Sequence, residues 1–104
     1  MNVLFICNQN ENRSKTAEEV FKDRFKTKSA GLYNVKPVTE KQISWADTII
    51  VMEEAQRREI AKRFPKQYML KRIFSLNVPD VYRYNQPELI EILKSKIDVV
   101  LPSV

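Results

Sequence analysis

Along the chain, short unbroken apolar runs alternate with stretches in which apolar residues recur every three or four positions. Val3–Ile6 is a β-branched-rich apolar run that predicts a buried strand. From there the apolar positions move to Ala17, Val20, Phe21 and Phe25, which is helical spacing. Lys26–Ala30 predicts a short second strand leading into Gly31, the only glycine, at a sharp turn. Residues 32–38 read as irregular. Thr39-Glu-Lys-Gln42 fits a capping box that opens a short helix through Ile43 and Trp45. Asp47–Met52 is the clearest buried strand, and Glu53–Phe64 a helix stopped by Pro65. The segment Tyr68–Leu76 holds a fourth strand, placed at Arg72–Leu76, and Asn77–Asn85 is a loop. Pro87 opens a last helix with a stripe of Leu89, Ile90, Leu93, Ile97, Val100 and Leu101, and Pro102 ends it.

Strands that alternate with helices imply right-handed crossovers and a parallel sheet covered on both faces, an α/β three-layer arrangement. Ligands of such sheets bind beyond the carboxyl ends of the strands. Cys7 ends the first strand and Asp80 follows the fourth, so both are expected on that rim. A length of 104 residues without repeats or linkers predicts one domain spanning 1–104.

Composition narrows the function. The 43% hydrophobic content is that of a folded chain. No apolar run approaches the roughly 18 residues of a membrane span, and no basic region precedes the first apolar run, which argues against a signal peptide. One Cys excludes an internal disulfide, and without His the chain offers too few soft ligands for zinc. A lone reactive thiol is best kept reduced in the cytoplasm. The net charge of +5 favours anionic partners, but the basic residues are scattered along the chain, apart from Arg57-Arg58 and Lys62-Arg63.

The chemistry concentrates between the first strand and the first helix, in Cys7-Asn8-Gln9-Asn10-Glu11-Asn12-Arg13-Ser14. A tight polar loop feeding a helix N-terminus gathers unpartnered N–H groups and partial positive charge, which is an anion site. A cysteine at its start sits where a thiolate is favoured. An arginine at its end supplies a planar fork of donors for an oxyanion. Taken alone, Cys7 reads more readily as a buried structural residue. Together with Arg13 and Ser14, the stretch reads as a nucleophilic phosphate-binding loop. Asn8, Asn10 and Asn12 are the residues best able to take positive φ in a loop without glycine. Glu11 is tolerable beside a bound phosphate when it faces solvent, where it can select a cationic or hydroxyl-bearing substrate group.

Cys7-x5-Arg13-Ser14 resembles the signature of the low molecular weight protein tyrosine phosphatase family, and the chain is most similar to the short predicted phosphatases related to it. Ser29-Ala-Gly31 resembles the segment after the family's second strand, Trp45–Glu53 its third strand and flanks, and Val78-Pro-Asp80-Val-Tyr82 its acidic loop. The likeness covers most of the chain, with shortened connections before the third strand and before Asp80. It implies a four-stranded parallel sheet in the order 2-1-3-4. It also implies hydrolysis of phosphate monoesters, phosphotyrosine or another aryl phosphate, through a cysteinyl-phosphate, without metal or cofactor. Cys7 is then the nucleophile and Arg13 the phosphate clamp. Ser14 donates to the thiolate, Asn10 braces the loop, and residues 8–14 (Asn8, Gln9, Asn10, Glu11, Asn12, Arg13, Ser14) cradle the phosphate. Asp80 is the general acid, with Val81 in place of the family's proline, and Tyr82 walls the cleft. Asp47 and Glu53 are assigned to capping or structural pairing. The implied partners are a phosphorylated protein or small aryl phosphate and a phosphate or sulfate ion in the loop, with nucleic acid ranked below them and no membrane. The competing reading is a catalytically weak phosphate- or phosphoprotein-binding module on the same fold. Arsenate reduction ranks low, since no further cysteine is present to pass electrons.

Overall fold

A computed structural model describes residues 1–101; Pro102, expected to end the last helix, lies outside the described residues. The elements run β1 (Asn2–Cys7), α1 (Arg13–Val20), β2 (Lys26–Gly31), α2 (Glu40–Trp45), β3 (Thr48–Val51), α3 (Glu54–Arg63), α4 (Pro65–Leu70), β4 (Arg72–Ser75) and α5 (Pro87–Val100). All strand pairs are parallel, in the order β2-β1-β3-β4. The expected α/β architecture and strand order are those observed.

Alternation along β1 sorts the core into two faces. Val3, Phe5 and Cys7 point with Ile50 and Met52 into a cluster closed by Ala17 and Phe21 of the α1 segment and by Leu89, Leu93 and Ile97 of α5. Leu4 and Ile6 point with Ile49 and Val51 into a second cluster that meets Ile43 of α2 and Ile60 of α3. The layers are thus α1 and α5, the sheet, then the helices α2 to α4. No helix among the described residues is long and apolar enough to cross a membrane.

Local chemistry explains most boundaries. Thr39 caps α2 reciprocally with Gln42, as its spacing predicts. Helix α1 is shorter than the apolar spacing suggests: it closes at Phe21, and one further turn brings Phe25 back beside it, with ring centroids 6.5 Å apart. Pro65 does end α3, but it also begins α4, a helix that no apolar period in the sequence predicts because it buries no residue. Proline suits a first helical position, where its missing N–H would have no partner anyway. Gly31 does not take positive φ. It is required for close approach, because a Cβ there would stand 2.7 Å from Asn34 Oδ1 and 2.9 Å from the Asn8 carbonyl oxygen. Loop 8–12 therefore lies directly against the end of β2, where Leu32 and Tyr33 donate their N–H groups to the Asn8 carbonyl.

Candidate active site

The carboxyl ends of β1, β3 and β4 converge on one rim. β1 delivers Cys7, the residues after β3 deliver Glu53, and the chain leaving β4 delivers Val78 and Asp80. The N–H groups of Leu76 and Val78 donate to the Val51 and Met52 carbonyls, so the acidic segment leaves the sheet in register with β3.

Cys7 is 3% exposed and caps the α1–α5 core cluster. Its sulfur nevertheless meets polar partners, with Ser14 Oγ at 3.0 Å and the Asn10 N–H donating at 3.2 Å. Asn10 takes φ 55°, the left-handed region, which turns its amide toward the sulfur. Of the three asparagines expected to serve there, only Asn10 has positive φ within the loop. Ser14 Oγ also donates to Asn10 Oδ1 at 2.7 Å. A hydroxyl has one proton and cannot serve both neighbours. With a neutral thiol, the sulfur donates to Ser14 and Ser14 to Asn10. With a thiolate, Ser14 must turn its proton to sulfur and Asn10 must present its amide nitrogen. The trio can therefore follow the charge on Cys7 without moving the backbone.

The other loop side chains hold the loop from outside. Asn8 Oδ1 accepts from Gln56 Nε2 at 3.0 Å, and Asn12 Oδ1 accepts from the Tyr84 N–H at 3.0 Å. With Asn12 so engaged, no side chain caps α1, and its first-turn amides stay available to an anion. Gln9 and Glu11 are exposed.

Arg13 is 1% exposed, so its charge is buried and must be matched. Nη1 donates to Glu53 Oε2 and to the Val78 carbonyl, each at 2.8 Å. Nε lies 3.7 Å from Asp80 Oδ1. Using up Nη1 leaves the Nε–Nη2 edge, a two-pronged donor face, for an oxyanion. Cys7, Gln9, Glu11, Asn12, Arg13 and Asp80 line a cavity of about 50 Å³, room for a phosphoryl group and little more. Tyr82 is half-buried against the α1–α5 core cluster and is not among the lining residues.

Two residues that matter here were not singled out as site residues. Glu53 is the N-cap residue of α3, and the Gln56 side chain bonds back to its N–H; the Glu53 carboxylate makes no cap bond and is instead the counter-charge of Arg13. Gln56 is 2% exposed; its Oε1 accepts from the Met52 and Glu53 N–H groups at 2.8 and 3.0 Å. Its Nε2 reaches both Asn8 and, at 3.4 Å, Glu53 Oε2. One buried amide thus ties the Cys7–Ser14 loop to the residue that aims Arg13. The signal was a Glu-x-x-Gln capping pair just past a buried strand, on the rim where ligands bind. Asp47, by contrast, accepts from the Asn2 N–H at the opposite end of the sheet, outside the site.

No protein-family model matches the sequence, and no curated protein matches it. Solved structures do. The low molecular weight protein tyrosine phosphatase from T. tengcongensis matches with a TM-score of 0.78 at 22% identity, over 100% of this chain and 99% of that one. The tyrosine phosphatase Wzb from Escherichia coli K30, in complex with phosphate, matches at 0.77 and 17% identity, over 95% of this chain and 94% of that one. A cysteine-to-serine mutant of the YwlE arginine phosphatase, with a phosphorylated active-site serine, matches at 0.68 and 21%, over 96% and 88%. The chain has the fold of the low molecular weight protein tyrosine phosphatases.

Proposed function

We propose that the protein is a phosphatase that releases phosphate from phosphorylated substrates through a cysteinyl-phosphate. The reading rests on one observation above the others: the Cys7 sulfur, held by Ser14 and the Asn10 amide, shares a phosphate-sized cavity with a buried, pre-aimed Arg13. Cys7 attacks phosphorus in line. Arg13 and the open amides of α1 take up the charge on the equatorial oxygens. Asp80, exposed and beside the Arg13 guanidinium, protonates the departing group and then activates water. No step needs a metal or cofactor. A nucleophilic thiol must be kept reduced, which suits a cytoplasmic enzyme.

The relatives by fold offer two substrate classes, the phosphotyrosine of tyrosine phosphatases and the phosphoarginine of an arginine phosphatase. The catalytic claim is independent of that choice. It predicts that p-nitrophenyl phosphate gives a burst of nitrophenol, then steady turnover, and that Cys7→Ser abolishes both. Phosphate binding without turnover above the Cys7→Ser background would favour the binding-module reading instead.

A further inference from the structure

The charges around the cavity are unusual for a site that binds a dianion. Among the described residues Arg13 is the only cation lining it, and Glu53 already faces that cation from behind at 2.8 Å. Two more carboxylates, Glu11 and Asp80, line the cavity itself. Asp80 lies 3.7 Å from Arg13, while Glu11 has no salt-bridge partner among the described residues. A catalytic acid accounts for Asp80. Nothing in the reaction of an aryl phosphate accounts for Glu11, which only repels the incoming phosphate.

The cavity's size locates what Glu11 meets. A phosphoryl group takes up most of a space of about 50 Å³, so an exposed carboxylate on its lining lies within reach of the group that phosphorus is bonded to. Among the described residues, no aromatic or aliphatic side chain lines it to receive a phenol ring. Val81 and Tyr84 nearby are exposed, and Tyr82 packs into the core cluster. The surroundings suit a leaving group that is planar, polar and positively charged, with N–H donors for the two carboxylates.

We propose that the substrate is an N-phosphorylated guanidinium, phosphoarginine in a protein, with Glu11 as its specificity-determining residue. The proposal rests on the phosphatase reading and names its substrate class. The Cys7 sulfur bonds to phosphorus as the phosphorus–nitrogen bond breaks, and Asp80 gives its proton to the departing nitrogen, so arginine leaves as guanidinium. Glu11 accepts hydrogen bonds from the guanidinium N–H groups throughout. Water then attacks phosphorus, Asp80 takes its proton, and phosphate leaves with the Cys7 thiolate restored. The guanidinium charge offsets the local excess of carboxylates, which a phenol cannot do.

The test compares four substrates on wild type, Glu11→Gln and Cys7→Ser by phosphate release. They are a phosphoarginine peptide, the matching phosphotyrosine peptide, a phosphotyrosine peptide with arginine beside it, and p-nitrophenyl phosphate. The wild type is expected to prefer phosphoarginine in kcat/KM. Glu11 is exposed, and Glu11→Gln should lower that value roughly tenfold, as loss of a charge-assisted pair implies. The same change should raise kcat/KM on both aryl phosphates, because repulsion is relieved. Opposite signs on the two classes identify the role. A wild-type preference for phosphotyrosine, or loss on every substrate in Glu11→Gln, overturns it. So does a preference for phosphotyrosine beside arginine over phosphoarginine, which would move the partner of Glu11 from the leaving group to the flanking chain. Turnover of p-nitrophenyl phosphate without phosphoarginine sinks this inference alone. No turnover of any substrate above Cys7→Ser sinks the phosphatase reading with it.

Discussion

The loop from Cys7 to Ser14 and the loop from Asn77 to Asn85 face each other across one small cavity and are built on opposite terms. The first is fixed from behind. Cys7, Arg13, Ser14 and Thr16 are buried, and buried Gln56 and the close pass over Gly31 hold its flank. The second is anchored at its ends and open between. Val78 is buried, and its carbonyl takes a bond from Arg13, while the Tyr84 and Asn85 N–H groups donate to Asn12 and Thr16. Between those ties Pro79, Asp80 and Val81 are exposed. The contrast suits the proposed chemistry. Stabilising charge on phosphorus demands donors that do not reorganise, whereas an acid must reach a leaving group, give up a proton and take another.

Substitutions can break that contrast or sharpen it. The largest effect is expected for Arg13→Lys, which keeps charge but loses the fork and leaves Glu53 and the Val78 carbonyl poorly matched. Its kcat/KM on p-nitrophenyl phosphate should fall by about two to three orders of magnitude, with a lower melting temperature. Next comes Asp80→Asn, with a kcat loss of about a hundredfold on a substrate with a poor leaving group and little on p-nitrophenyl phosphate. Its melting temperature should not move, because the Asp80 side chain is 59% exposed and its ion pair is long. If both variants lost stability alike, the two loops would not differ as described.

Smaller effects probe the bracing. Gln56→Leu leaves the Met52 and Glu53 N–H groups and Asn8 Oδ1 without their partner, at about 1–3 kcal/mol for the buried Met52 N–H and less for each of the two half-buried groups. Thermal unfolding should shift down by roughly 4–8 °C for each kcal/mol lost in a domain of this size. KM should rise as Glu53 loosens its hold on Arg13. Gly31→Ala is smaller still. Asn34 can swing away, but the Asn8 carbonyl is backbone and must yield, at about 1–3 kcal/mol. Melting and phosphate affinity should fall together there, since the displaced group belongs to the loop that carries Cys7.

What the chain discloses on its own follows the reach of each interaction. The strands and α5 are legible because β-branched runs and an apolar stripe carry the period that folding obeys. Helix α4 is not, because Met69 and Leu70 are exposed and the segment buries no residue that would print a helical period. Within the site, Cys7, Arg13 and Ser14 share one loop and are readable together. Glu53 is 40 positions from Arg13, and Gln56 is 48 from Asn8, so only the fold reveals that a capping pair serves the site. Tyr82 shows the converse. Its position after Asp80 suggests a cleft wall, but an aromatic ring beside an open core edge gains more by packing inward.

The covalent intermediate gives the most direct test of the central claim. Wild-type protein mixed with excess p-nitrophenyl phosphate, quenched in acid within the first turnover and weighed intact should be heavier by one phosphoryl group. Peptide mapping should place that group on Cys7, and Arg13→Lys should carry far less of it. Full turnover with no phosphorylated Cys7 at any quench time, or turnover that survives Cys7→Ser, would contradict the account.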